Sequence, residues 1–130
     1  MMNILYIEDK RRPERNAEYK KVISRLGYDQ VITYCDTTDP KIIAEFSVDG
    51  AICHSGMEGY NIITYFSKVN DWPLLSYSGS VDSTPYLRVG KNKRLFSVDS
   101  DYFESVLPEF IEHCRLIRKT TNHEQRISTK

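Results

Sequence analysis

Five short apolar runs, each followed by a stretch with helical spacing, limit what this chain can fold into. The runs are Ile4-Leu5-Tyr6-Ile7, Val31-Ile32-Thr33-Tyr34-Cys35, Gly50-Ala51-Ile52-Cys53, Leu74-Leu75-Ser76-Tyr77 and Leu95-Phe96-Ser97-Val98. They are continuous rather than alternating, which suits strands covered on both faces. Strand followed by helix, repeated, predicts an α/β domain with a five-stranded parallel sheet, doubly wound through right-handed crossovers.

The intervening segments carry their own signals. Pro13 opens a first helix and Gly27 closes it, with Tyr19, Val22, Ile23 and Leu26 inward. Thr38-Asp39-Pro40 starts a second, with Ile42, Ile43 and Phe46 on one face. A third covers 61–69, with Ile62, Ile63, Phe66 and Val69 inward. The stretch 80–94 contains Pro85 and Gly90, so a fourth helix there is expected to be short or irregular. The last helix places Phe103, Val106, Leu107, Phe110, Ile111, Cys114 and Ile117 on one side, with Pro108 inside it. Residues 1–119 read as a single domain, and 120–130 as a polar tail that frays. No repeat or linker is visible, and no output domain is expected beyond the last helix.

Composition removes several classes of function. The chain has 130 residues, is 40% hydrophobic and 28% charged, and carries zero formal net charge. It is large enough for one core, and no global field draws it to nucleic acid or an acidic membrane. No apolar run approaches the roughly 20 residues of a membrane span. The start, MMNILYIEDK, lacks the order of a signal peptide. The three cysteines, Cys35, Cys53 and Cys114, have no CxxC spacing. They read as buried thiols in a cytoplasmic protein, not as zinc ligands or disulfides. Arg11, Arg12, Arg15, Lys20, Lys21 and Arg25 crowd the first helix, but Glu14 and Glu18 interrupt them. This is a solvated face with local ion pairs, without a base-reading element beside it.

In such sheets the carboxyl ends of the central strands face a common crevice. That edge is expected to hold Glu8, Asp9, His54, Ser78 and Asp99. The stretch AICHSGMEGY, residues 51–60, delivers His54 from a buried strand to a loop that ends in Met57-Glu58-Gly59. With ILYIED before it and PLLSYSGS after it, the sequence resembles a response-regulator receiver domain of the CheY-like, flavodoxin-like fold, from about residue 3 to 118. The resemblance implies that Glu8 and Asp9 match the acidic pair, Met57-Glu58-Gly59 the turn after the acceptor, and Ser78 with Gly79 the hydroxyl and small residue ending the fourth strand. His54 falls where the phospho-accepting aspartate stands, with a shorter loop after it. LFSVDSDY lacks the lysine and proline of the fifth strand, and Val98 or Ser97 takes the lysine's place.

By this resemblance the chain is a degenerate pseudo-receiver. Imidazole in place of the acceptor carboxylate removes the acyl-phosphate nucleophile and one hard oxygen ligand for magnesium. Loss of the lysine removes the cation that grips the phosphoryl group. Asp49 precedes the third strand and lies at the opposite end of the sheet from the crevice. For His54 two readings stand open. One is an imidazole bonded to Glu8 or Asp9 that fills the vacated pocket; the other is a metal ligand or a phosphorylatable histidine. Glu8 and Asp9 either keep a weak residual divalent cation, with no other cofactor expected, or cap backbone amides and pair with His54 or Lys10. Ser55 is not expected to form a catalytic pair with His54, and His113 and His123 are assigned to solvent.

The expected function is therefore that of a stand-alone, non-enzymatic signalling module. It acts by phosphorylation-independent protein–protein interaction, with a homodimer among the options and no membrane or nucleic-acid partner. The nine tyrosines, among them Tyr60, Tyr65, Tyr77, Tyr86 and Tyr102, suit protein contacts. Interface candidates are Tyr86, Arg88, Lys91, Lys93, Arg94 and Tyr102. The alternatives are a metal-dependent phosphoryl-transfer or hydrolytic enzyme using Glu8, Asp9 and His54, and a receiver switched by metal or a small ligand.

Overall fold

The computed structural model describes residues 2–9, 13–25, 30–78, 86–89, 95–99 and 102–128; the side chains of 15, 16, 86–89, 99 and 119–128 lie outside that description. Among the described residues six strands form one sheet: β1 (Met2–Ile7), β2 (Gln30–Cys35), β3 (Gly50–His54), β4 (Leu74–Ser78), β5 (Tyr86–Val89) and β6 (Leu95–Asp99). The helices described are α1 (Pro13–Ser24), α2 (Pro40–Ile43), α3 (Tyr60–Asn70) and α4 (Phe103–Ser128), which cover it. The strand order is β2-β1-β3-β4-β6-β5. The first five in that order are parallel, as the continuous apolar runs predict.

The pleat divides the core into two layers. Ile4, Tyr6, Ile52, Leu75, Tyr77, Phe96 and Val98 pack under α1 and α4, through Tyr19, Val22 and Ile23 on one helix and Phe103, Leu107 and Phe110 on the other. Leu5, Ile7, Ala51, Cys53 and Leu74 face the other way, toward Ile43 of α2, Ile63 of α3 and Trp72. Tyr19 and Phe103 stack with ring centroids 3.9 Å apart and planes 3° from parallel, which fixes α1 against α4.

Local chemistry sets the helix ends. Asp39 caps α2 through its side chain, which accepts from the Lys41 amide, and Pro40 occupies the first helical position. Gly59 precedes α3 with φ of 81°, a left-handed conformation that would strain a side chain. This is the glycine of the Met57-Glu58-Gly59 turn.

Several expectations need correction. Between β4 and β6 the described residues form a strand, β5, antiparallel to β6 at the sheet edge, where a short fourth helix is expected. The sequence Tyr86-Leu87-Arg88-Val89 has strand composition, but the flanking Pro85 and Gly90 draw attention to irregularity instead. The helix α2 lasts a single turn, so Ile42 is exposed and only Ile43 is buried. In α3, Val69 is 59% exposed rather than inward, and Ser67 takes the buried place, donating to the Trp72 carbonyl at 2.6 Å. Backbone helix continues to Ser128, into the stretch 120–130 read as a polar tail. Pro108 sits six residues into α4, where it removes one amide from the helical ladder. His113 is half-buried, with its ring 5.4 Å from that of Phe96, and is not a solvent residue. Leu26, Gly27 and Pro85 lie outside the described residues, as does the side chain of His123.

All three cysteines are free and buried. Burial pushes the Cys114 and Cys53 thiols well above their usual range, so neither is a reactive thiolate. Cys114 packs on β3: a Cβ added at Gly50 would collide with its Sγ. Gly50→Ala is therefore expected to destabilise by about 1–3 kcal/mol through overpacking. Urea unfolding of Gly50→Ala, Cys114→Ala and the double variant checks this; the double variant should recover part of the loss, because removing the sulfur opens space for the new methyl.

Candidate functional site

The parallel register places one row of residues across the carboxyl end of the sheet. His54 pairs with Tyr77 and Tyr77 with Val98, while Glu8 follows directly on β1. Partners in register point to the same face, here the face covered by α1 and α4. Glu8, His54, Tyr77 and Val98 thus form a line over the aromatic layer of Tyr6, Tyr19 and Phe103. Ser78 lies one step further along, level with Asp99. Tyr77, rather than Ser78, is the residue beside His54.

Glu8 is fully buried although it ends a strand. Its carboxylate is held from several sides. The Tyr77 hydroxyl donates to Oε2 at 2.5 Å, and the Asp9 amide donates to Oε1 at 2.7 Å. The His54 Nδ1 lies 3.5 Å from Oε1, in ion-pair range when the imidazole is protonated. The Tyr34 hydroxyl donates to the Glu8 backbone carbonyl at 2.9 Å. The Tyr6 and Tyr77 hydroxyls are 3.2 Å apart. Because Tyr77 has one proton and gives it to Glu8, Tyr6 must donate to Tyr77. The result is a relay from Tyr6 through Tyr77 to a buried carboxylate.

His54 stacks on Tyr77, with ring centroids 5.3 Å apart and planes at 28°. Its side chain is 12% exposed, so it roofs the pocket. Ser55 turns back to the sheet: its amide and hydroxyl both bond the Tyr77 carbonyl, at 2.9 and 3.3 Å. Ser55 therefore ties the β3 loop to β4 and does not form a nucleophile–base pair with His54.

The remaining expected residues are placed as follows. Asp9 is partly exposed beside Glu8, and Val98 is fully buried at the row's far end. Asp49 sits at the opposite edge of the sheet, accepting from the Asn3 amide at 2.7 Å. Tyr102 is exposed just before α4. Tyr86 and Arg88 belong to β5, but their side chains lie outside the described residues, as do Lys10, Gly79, Lys91, Lys93 and Arg94. Of the other tyrosines offered as anchors, Tyr65 is exposed and Tyr60 half-buried, with burial raising its hydroxyl's pKa. Tyr77 is a core residue, not a surface anchor.

Glu8 is not an open oxygen ligand in this arrangement. Magnesium takes open, hard oxygen ligands. Glu8 is enclosed, with its oxygens engaged by Tyr77 and the Asp9 amide, and His54 offers nitrogen where a third carboxylate would stand. Among the described residues no group of three His, Cys, Asp or Glu side chains is placed to hold a metal. No helix among them is long and apolar enough to cross a membrane.

The whole fold has counterparts among solved structures. A response regulator receiver protein from Pseudoalteromonas atlantica aligns with a TM-score of 0.60 and 15% identity, over 85% of this chain and 95% of its own. A response regulator receiver domain protein from Clostridium thermocellum aligns at 0.61 and 15%, over 90% and 99%. A chain joining a trimeric coiled-coil segment of yeast Spc42 to another structure aligns at 0.63 and 14%, over 93% and 83%. No protein-family model and no curated protein matches the sequence. At these identities the likeness is one of fold: the chain has the receiver architecture of five parallel strands, doubly wound.

The relay has a pH signature. Burial first, then Tyr6 and the bond to Glu8, push the Tyr77 hydroxyl far above its ordinary 10.0. Burial, with the Glu8 charge adding to it, does the same for Tyr6. Both groups favour the protonated native state, so their contribution is complete below pH 10.0 and is lost as pH rises beyond it, where the unfolded chain ionises first. The urea midpoint should fall steeply above that pH, and phenolate absorbance from these two tyrosines should appear only with unfolding. A Tyr6→Phe, Tyr77→Phe double variant should show a shallower alkaline fall.

Proposed function

We propose that this chain is a pseudo-receiver: a signalling module of receiver fold that works by binding another protein, without aspartyl phosphorylation. The carrying observation is the enclosed Glu8 carboxylate, bonded to Tyr77 and roofed by His54 at the end of β3. An acyl-phosphate acceptor needs an open carboxylate at that strand end, and a phosphoryl group needs cations to balance it. The row offers imidazole, phenol and the fully buried Val98 instead. The receiver likeness over 85–90% of the chain supports a signalling role. The metal-enzyme alternative draws no support from this geometry, since Glu8, Asp9 and His54 would have to share an ion while Glu8 gives up its internal bonds.

The partner is a protein, either a second copy or another chain. Tyr102, just before α4, and Tyr86, Arg88, Lys91, Lys93 and Arg94 remain the residues we propose as interface candidates. No nucleic acid, membrane or cofactor has a part in this reading, and the module is cytoplasmic.

Incubation with acetyl phosphate and magnesium should leave the intact mass unchanged. Magnesium with beryllofluoride should leave the melting temperature unchanged, because any ligand that binds the native state must raise it. A stable phosphoryl adduct on a residue of the row would overturn the proposal. Capture of a partner should be lost when Arg88, Lys91 and Lys93 are changed together to Glu.

A further inference from the structure

Resting on the pseudo-receiver reading, we infer that the hydroxyl of Tyr77, and not the imidazole of His54 alone, closes the pocket to a divalent cation. Two barriers stand in series. Restoring a carboxylate by His54→Asp would supply a third oxygen ligand beside Glu8 and Asp9. It would leave Glu8 Oε2 bonded to the Tyr77 hydroxyl at 2.5 Å, inside a fully buried environment. A cation recruiting Oε2 must break that bond and leave a buried phenol without its charged acceptor, while Oε1 is already taken by the Asp9 amide.

The phenol is not an incidental neighbour. It sits level with His54 in the register, its ring stacks under the imidazole, and its oxygen is itself held by Tyr6. Tyr19 packs edge-on against the same ring at 5.0 Å, and Phe103 at 5.5 Å, so the hydroxyl cannot swing away from Glu8 without disturbing the α1–α4 layer. The Tyr77 barrier is thus built from the core outward and stands beside the one that His54 provides.

The test is Mn²⁺ binding to the full chain, read by electron paramagnetic resonance of the free ion. It is made on wild type, His54→Asp, His54→Asp with Tyr77→Phe, and His54→Asp with Tyr6→Phe. Wild type should not bind, and His54→Asp should bind weakly at most. Adding Tyr77→Phe should tighten binding about tenfold or more, the factor that one hydrogen bond to a charged group is worth. Adding Tyr6→Phe should tighten it less than Tyr77→Phe does, since the hydroxyl that bonds Glu8 Oε2 is that of Tyr77. Tyr77→Leu serves in place of Tyr77→Phe if the latter fails to melt cooperatively.

The outcomes separate the two claims. If His54→Asp binds as tightly as the Tyr77 double variant, or neither binds, the role of Tyr77 is refuted while the locked pocket stands. If wild type binds Mn²⁺ in competition with Mg²⁺, the pseudo-receiver reading itself falls.

Discussion

A carboxylate removed from water has to be satisfied where it sits. An ionised group left unpaired in a protein interior costs several kcal/mol even after relaxation. Glu8 is fully enclosed at the end of β1, and the surrounding structure answers that demand. The adjacent amide of Asp9, the phenol of Tyr77 and the imidazole of His54 converge on its two oxygens from the chain itself, β4 and β3. None of these can be moved alone. The register of three parallel strands is therefore tied to one buried side chain, in addition to the apolar packing that would tolerate many substitutions.

The same row explains why chemistry and stability exchange places here. In a doubly wound sheet the carboxyl ends of the central strands are where reactive groups can meet a ligand. This chain fills that edge with groups that meet one another. Tyr6, Tyr19, Tyr34, Tyr77 and Phe103 continue the apolar layer up to the crevice, and His54 covers it. Aromatic rings supply both the packing and, through two hydroxyls, the polar partners that a carboxylate requires. Val98 ends the row with a side chain that offers no charge at all.

Much of the fold could be read from the sequence because both-faces burial writes itself as unbroken apolar runs. β1, β3, β4 and β6 show this directly. Helix faces were harder where the helix is short. One turn at α2 cannot present Ile42 and Ile43 to the same side, and periodicity in α3 could not tell Val69 from Ser67 because a serine bonded to a carbonyl is as buried as a valine. β5 is hard to read in the sequence, since four residues between a proline and a glycine carry little periodic signal. At the site, Glu8, Asp9, His54 and Val98 were legible from position. Tyr77 was not, for an aromatic residue inside an apolar strand reads as core, and core it is. The usable clue was indirect: an acidic residue directly after a buried strand needs a donor, and Tyr77 was the residue with a hydroxyl at the matching height of β4.

A receiver works as a switch when its pocket has two arrangements close in free energy and a ligand that prefers one of them. Here the arrangement seen is held by mutually dependent bonds. Withdrawing Tyr77 from Glu8 takes the Oε2 donor from the carboxylate and the charged acceptor from the phenol, at about 1–3 kcal/mol. A second arrangement of this pocket would have to recover that from contacts the row does not offer, since its remaining members are a ring nitrogen already facing Glu8 and a valine. The pocket is thus better suited to holding one shape than to changing between two.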